Sequence, residues 1–250
     1  MAMPRSPHGW ASRRADGSAM PPRNATAPKP STRGRFITFE GGEGAGKSTQ
    51  VRRLAERLAE RGLDVVTTRE PGGSPGAEIV RHVLLSGAAQ PLGPLAEATL
   101  FAAARADHLD VTIRPALARG AWVLSDRFAD STRAYQGAQG QVDAKMLDAL
   151  EAATVGSTRP DLTILLDVPA EEGLARAAAR SGAGADRFES ENLSFHRNLR
   201  AAFLDIAARE PTRCVVVDGR TPAEEVAEAV WQAVSERLAL PKPRRKAVRA

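Results

Sequence analysis

One cysteine, Cys214, stands in 250 residues. That excludes a disulfide within the chain and any zinc site built on cysteines, and it predicts a reducing compartment, the cytoplasm. No apolar run approaches the roughly 20 residues that a membrane helix needs, so no membrane partner is expected. The four histidines, His8, His82, His108 and His196, lie without ligand spacing, which reads as surface or packing rather than metal coordination. No asparagine is followed by lysine, so the N-K-x-D segment with which a guanine-specific switch reads its base is missing. The first residues lack the apolar stretch of a secretion signal. They also lack the amphipathic period of a transit peptide, although they are arginine- and serine-bearing and almost free of acids.

Acidic residues are scarce at both ends. Residues 1–33 carry five arginines and one lysine against Asp16, and residues 241–250 carry five cations and no acid. The chain as a whole has a net charge of +5, so residues 34–240 carry −5. The two ends read as disordered basic extensions and the middle as one mildly acidic domain. A basic groove for nucleic acid is not predicted.

The chain is 42% apolar, enough for a sizeable core; within that domain, β-branched runs alternate with helical patterns and no internal repeat appears. Strands are predicted at 35–40, 64–70, 121–127, 162–168 and 214–219. Each is apolar at both alternate positions, which suits a sheet covered on both faces. Gly62, Gly87 and Gly120 sit where helix-ending glycines belong, and Thr221-Pro222-Ala223-Glu224 reads as an N-cap, an N1 proline and a capping-box glutamate. The fold class predicted is α/β, a doubly wound parallel five-stranded sheet with helices on both faces, whose ligands sit at the carboxyl ends of the strands.

At the first of those ends stands "FEGGEGAGKSTQ". Gly41, Gly46, Lys47 and Ser48 fill G-x-x-x-x-G-K-[ST] between a strand and a helix, the context this phosphate loop requires. Its backbone N–H groups turn inward on an oxyanion, its lysine reaches the β- and γ-phosphates, and its serine hydroxyl can ligate magnesium. "TTREPGG" and "SDRF" end the next two strands of the same edge. Arg69 and Arg127 there, Arg105 in "FAAARADHL", and Arg176, Arg180 and Arg187 beside a Gly-Ala segment supply the fixed guanidinium forks that neutralise two sets of phosphates brought together.

"TREPGG" (68–73), "DRF" (126–128) and above all "STRAYQG" (131–137), combined with "FEGGEGAGKS", resemble thymidylate kinase over residues 35–236. The resemblance implies transfer of the γ-phosphoryl of ATP to dTMP, with Mg2+, in a cytoplasmic homodimer. It implies that Gly41, Gly42, Glu43, Gly44, Ala45, Gly46, Lys47, Ser48 and Thr49, with Arg176 and Arg187, bind ATP, and that Ser48 and Asp126 serve the metal. Glu43 would also sit near the acceptor sugar, and Arg69 would grip the acceptor phosphate. Asp126 and Arg127 would lie between acceptor, magnesium and γ-phosphate. Phe101 would stack on thymine, Arg105 and Gln136 would reach its polar edge with Ser131 and Thr132 nearby, and Tyr135 would fill the space of a ribose 2′-hydroxyl. Members of the family place a catalytic arginine in the phosphate loop or in the lid. "GGEGAGKS" holds none, which points to Arg180 in a lid over about 177–189, with Arg187 next. Gly182, Ala183 and Gly184 lengthen that lid slightly, and Phe128 replaces the more usual Tyr or His. Two other readings remain: another nucleoside monophosphate kinase, and a nucleotide-dependent switch whose tails recruit partners.

Overall fold

The computed structural model describes residues 33–181, 188 and 190–240. Both basic extensions and most of the Gly-Ala lid segment lie outside the described residues. Five parallel strands, β1 (Phe36–Glu40), β2 (Val65–Arg69), β3 (Trp122–Asp126), β4 (Leu162–Asp167) and β5 (Cys214–Asp218), form one sheet in the order β2-β3-β1-β4-β5. Each lies within a residue or two of the span predicted for it, because a parallel sheet gives its strands a near-continuous apolar signal.

Helices cover both faces. On one face, α1 (Lys47–Glu60) and α9 (Ala223–Arg237) pack on Ile37, Phe39, Leu124, Ile164 and Leu166. Val51, Leu54 and Leu58 of α1 recur at helical spacing and are buried there. Arg57 of α1 and Arg61, the C-cap of that helix, lie over the Trp231 ring of α9 at 4.3 and 4.7 Å, cation–π contacts at the rim of this core.

The other face carries α3 (Pro94–His108), which runs through a π-helical stretch, Leu109–Ile113, into α4 (Arg114–Ala118). It also carries α8 (Leu193–Arg209), whose Asn192 cap accepts from Phe195 N–H. This face is covered as expected, but its strand positions are not all apolar: Thr38, Glu40, Ser125 and Thr163 are buried there. They are tolerated because each finds a partner, beginning with Thr38 and Thr163, whose hydroxyls are 2.8 Å apart.

The remaining described helices are α2 (Pro75–Leu85), α5 (Ala129–Thr132), which continues as a π-helical stretch Arg133–Gln139, α6 (Ala144–Thr154) and α7 (Ala170–Ser181). Gly62, Gly87 and Gly120 all follow helix ends with positive φ, as predicted. The Thr221 cap is a correction. Pro222 itself is the N-cap of α9, with ψ 146°, so Thr221 lies one residue outside the helix, and Glu224 pairs with Arg53 of α1 instead of closing a capping box.

Candidate active site

The carboxyl ends of β1, β2 and β3 open onto one cavity. Glu43, Gly44, Ala45, Gly46, Lys47, Ser48, Arg69, Phe101, Arg105, Asp126, Arg127, Ser131, Thr132, Tyr135 and Gln136 all line it. Residues scattered over 94 positions of sequence thus share one space, because parallel strands deliver every βα loop to the same edge.

The phosphate loop is seated by close approach. A Cβ on Gly44 would lie 1.9 Å from the carbonyl oxygen of Gly173 in α7, and one on Gly173 would lie 2.4 Å from that of Glu43. Only glycine at both positions lets the loop and α7 touch backbone to backbone. Lys47 Nζ donates to the carbonyls of Gly41 (3.1 Å) and Gly42 (2.7 Å). Burial, then the charge of Arg127, lowers the pKa of Lys47, and Glu43 opposes them. The Ser48 hydroxyl donates to Asp126 Oδ2 at 2.5 Å, so the two oxygens expected at the metal adjoin. Thr49 stands at the next position of α1, beyond the lining.

Arg127 sits in a left-handed turn, φ 70°, unusual for a residue with a side chain. Four bonds hold the turn: Arg127 N–H donates to Phe39 O, Ser125 Oγ to Arg127 O, Phe128 N–H to Glu40 Oε1 at 2.8 Å, and Ser131 Oγ to Glu40 Oε2 at 2.6 Å. The turn aims the guanidinium at the loop, where Nη2 donates to Glu43 Oε1 at 2.6 Å and Nη1 to Gly41 O at 3.2 Å. Behind it, Asp130 of α5 is gripped by Arg213 at 2.7 and 3.1 Å.

Two nearby glutamates, Glu40 at the end of β1 and Glu43 in the loop, consequently take opposite states. Burial, then the neighbouring Asp130 charge, pushes Glu40 up to about 8. Burial also pushes Glu43 up, but Arg127, Lys47 and the Tyr135 hydroxyl, which donates to Glu43 Oε1 at 2.6 Å, hold it down at about 2.

Across the cavity, Arg69 leaves β2 half-exposed and bonds Glu78 of α2 at 2.9 Å. Phe101 and Tyr135 flank Phe188, with ring centroids 6.5 and 5.3 Å from it. Arg105 is buried at the cavity wall, its Nε donating to Glu70 Oε2 (2.8 Å) and its Nη2 to Thr132 Oγ (2.9 Å). The hydroxyls of Ser131 and Thr132 therefore hold Glu40 and Arg105. Phe128 turns inward, edge-on to Phe36 at 4.9 Å and beneath Arg105.

Arg176 does not reach the cavity: it donates to the carbonyls of Gly219 and Arg220 at the end of β5. Arg180 belongs to α7, its side chain outside the described residues, as is Arg187. Glu40, Glu70 and Arg81 were not singled out in the sequence, and His108 was read as a surface or packing residue. Glu40, Glu70 and His108 stand inside quoted motifs, and that was the one available signal, whereas nothing around Arg81 marks it.

Comparison with known proteins agrees with this geometry. The sequence profile of the family described as thymidylate kinase matches residues 39–230. A thymidylate kinase of Bradyrhizobium sp. (strain ORS 278) is 62% identical over 207 residues, 82% of this chain and 92% of that relative. One from Afipia carboxidovorans is 58% identical over 89% of this chain and 98% of its own length. The crystal structure of thymidylate kinase from Ehrlichia chaffeensis superposes with a TM-score of 0.66 at 34% identity, covering 81% of this chain and all of that one. With a parallel five-stranded fold, a phosphate loop and an arginine turn at one cavity, the chain belongs to the thymidylate kinase family, whose reaction is the phosphorylation of dTMP to dTDP with ATP as donor.

Proposed function

We propose that this chain moves the γ-phosphoryl group of ATP directly onto the phosphate of dTMP, in line and without a covalent enzyme intermediate. The observation that carries this is the shared cavity: the phosphate loop lies on one side, Arg69, Phe101 and Arg105 on the other, and Arg127 between them. Gly41 to Thr49 cradle the donor phosphates, and Lys47 follows the transferred group. Asp126 and Ser48 fit Mg2+, which takes one or two protein oxygens and completes its shell with phosphates and water. Held there, it would supply charge neutralisation to the phosphates.

Arg69 grips the acceptor phosphate and Arg127 bridges acceptor and donor. Glu43 and Tyr135 face the sugar, Phe101 stacks on the base, and Arg105 and Gln136, with Ser131 and Thr132 behind, read its edge. Arg176 and Arg187 serve ATP, and Arg180, in a lid over 177–189, meets the charge that develops during transfer.

Residues 34–240 form the kinase domain, and 1–33 and 241–250 are accessory. The protein works in the cytoplasm as a homodimer. Ile79 and Val83, 72% and 37% exposed on successive turns of α2, offer an apolar face for a second copy. The test is the fate of label from γ-labelled ATP. Label in dTDP, dependent on dTMP and Mg2+, supports transfer; label only in inorganic phosphate overturns it.

A further inference from the structure

Behind the acceptor side of the cavity runs a chain of hydrogen bonds, buried save at its Thr68 end, that the reaction itself does not use. Thr68 Oγ lies 2.7 Å from His108 Nε2, and His108 Nδ1 lies 3.0 Å from Glu70 Oε1. Glu70 Oε2 then accepts from Arg105 Nε, and Arg105 Nη2 donates to Thr132 Oγ. Paired with the Arg105 guanidinium, the Glu70 carboxylate accepts, so His108 donates to it from Nδ1 and the Thr68 hydroxyl completes Nε2. His108 is fully buried and does not line the cavity. The second glycine of "TREPGG" roofs the chain: a Cβ on Gly73 would lie 2.3 Å from Thr68 Oγ and 2.5 Å from His108 Nε2.

The consequence falls on Arg105. Two of its three nitrogens are engaged, and Nη1 makes no hydrogen bond among the described residues. We propose that His108 is a positioning residue for acceptor recognition, which through Glu70 fixes Arg105 so that Nη1 alone faces the cavity as a donor to a carbonyl oxygen on the base. Arginine has no acceptor, so a base presenting an amino group at that point is refused. The inference rests on the dTMP reading of the same site. Without the His108 donor, Glu70 Oε1 is left buried and unpaired, and the carboxylate turns to compete with Thr132 for Nη2, which swings the guanidinium off the base.

The experiment compares wild type, His108→Leu, His108→Asn and Thr68→Val. Leucine has no donor, asparagine can place an amide N–H near the position of Nδ1, and valine removes only the far hydroxyl. Folding is checked by thermal unfolding, and dissociation constants are measured for dTMP and dCMP. His108→Leu should weaken dTMP about tenfold or more, with dCMP much less affected. KM for dTMP should rise with kcat and the KM for ATP near wild type. His108→Asn should restore most of the loss and Thr68→Val should cost about threefold. A folded His108→Leu with an unchanged dTMP-to-dCMP ratio overturns the relay while leaving the kinase intact. If that variant does not fold, Thr68→Val decides, and a wild-type dTMP-to-dCMP ratio in it overturns the relay. A wild type that does not phosphorylate dTMP overturns the underlying reading instead.

Discussion

The two sides of the cavity are built differently. The donor side is one continuous segment, Gly41 to Ser48, whose binding groups are mostly backbone and whose lysine bonds to its own loop. The acceptor side is assembled from β2, α3, α5 and the stretch after it, and its groups are side chains held by other buried side chains. A backbone cradle needs glycines at fixed spacing and accepts any polyphosphate of the right shape. A side-chain wall is what distinguishes one nucleoside from another, and it depends on packing far from the ligand.

If the two sides have separate duties, substitutions should divide cleanly between kcat and KM. The largest effect is expected from the cation that meets the developing charge. Arg180→Ala should lower kcat about 10³-fold with the KM for dTMP nearly unchanged, and lysine should rescue only in part because it lacks the fork. Steady-state kinetics showing more than about a tenth of wild-type kcat would move the role to Arg187. Next in size, Arg69→Ala should reduce kcat/KM for dTMP about 100-fold, chiefly through KM, with the KM for ATP unchanged. An equal rise in both KM values would erase the distinction between the sides.

Glu40 and Glu43 carry the comparison into stability. The folded pKa of Glu40 is raised to about 8, so its contribution is full below the unfolded value near 4.5 and is lost as pH rises through 8. That of Glu43 is lowered to about 2, so its contribution is present above about 4.5 and is lost as pH falls through 2. Urea unfolding of Glu40→Gln should therefore show a variant that gains on wild type between pH 5 and pH 8, while Glu43→Gln should show no such trend in that window. A constant difference for Glu40→Gln across the window would mean that Glu40 is ionised throughout. The smallest effect belongs to the basic extension. Removing residues 1–33 should leave kcat and folding within a factor of about two, as measured by the same assay and by thermal unfolding.

How much could be read in advance follows the same division. The five strands and the phosphate loop were legible because their signals are local: apolar runs in a covered sheet, and glycines followed by Lys-Ser. The lining residues of the acceptor side were legible through the resemblance of "TREPGG", "DRF" and "STRAYQG". What holds them was not. His108 lies 40 residues from Thr68 and 38 from Glu70 and meets both only when α3 packs against the end of β2. Asp130 and Arg213 are 83 residues apart and Glu40 lies 91 from Ser131, pairings that no spacing rule announces. Thr221 failed for a smaller reason, since a proline with extended ψ displaced the helix start by one residue.

The central claim is that the side-chain wall selects thymidylate. Rates of ADP formation with dTMP, dUMP, UMP, CMP, GMP and AMP, each at several concentrations, test it most directly. The wall described here predicts kcat/KM for dTMP at least about 100-fold above that for UMP. Comparable values for dTMP and UMP or CMP would contradict it.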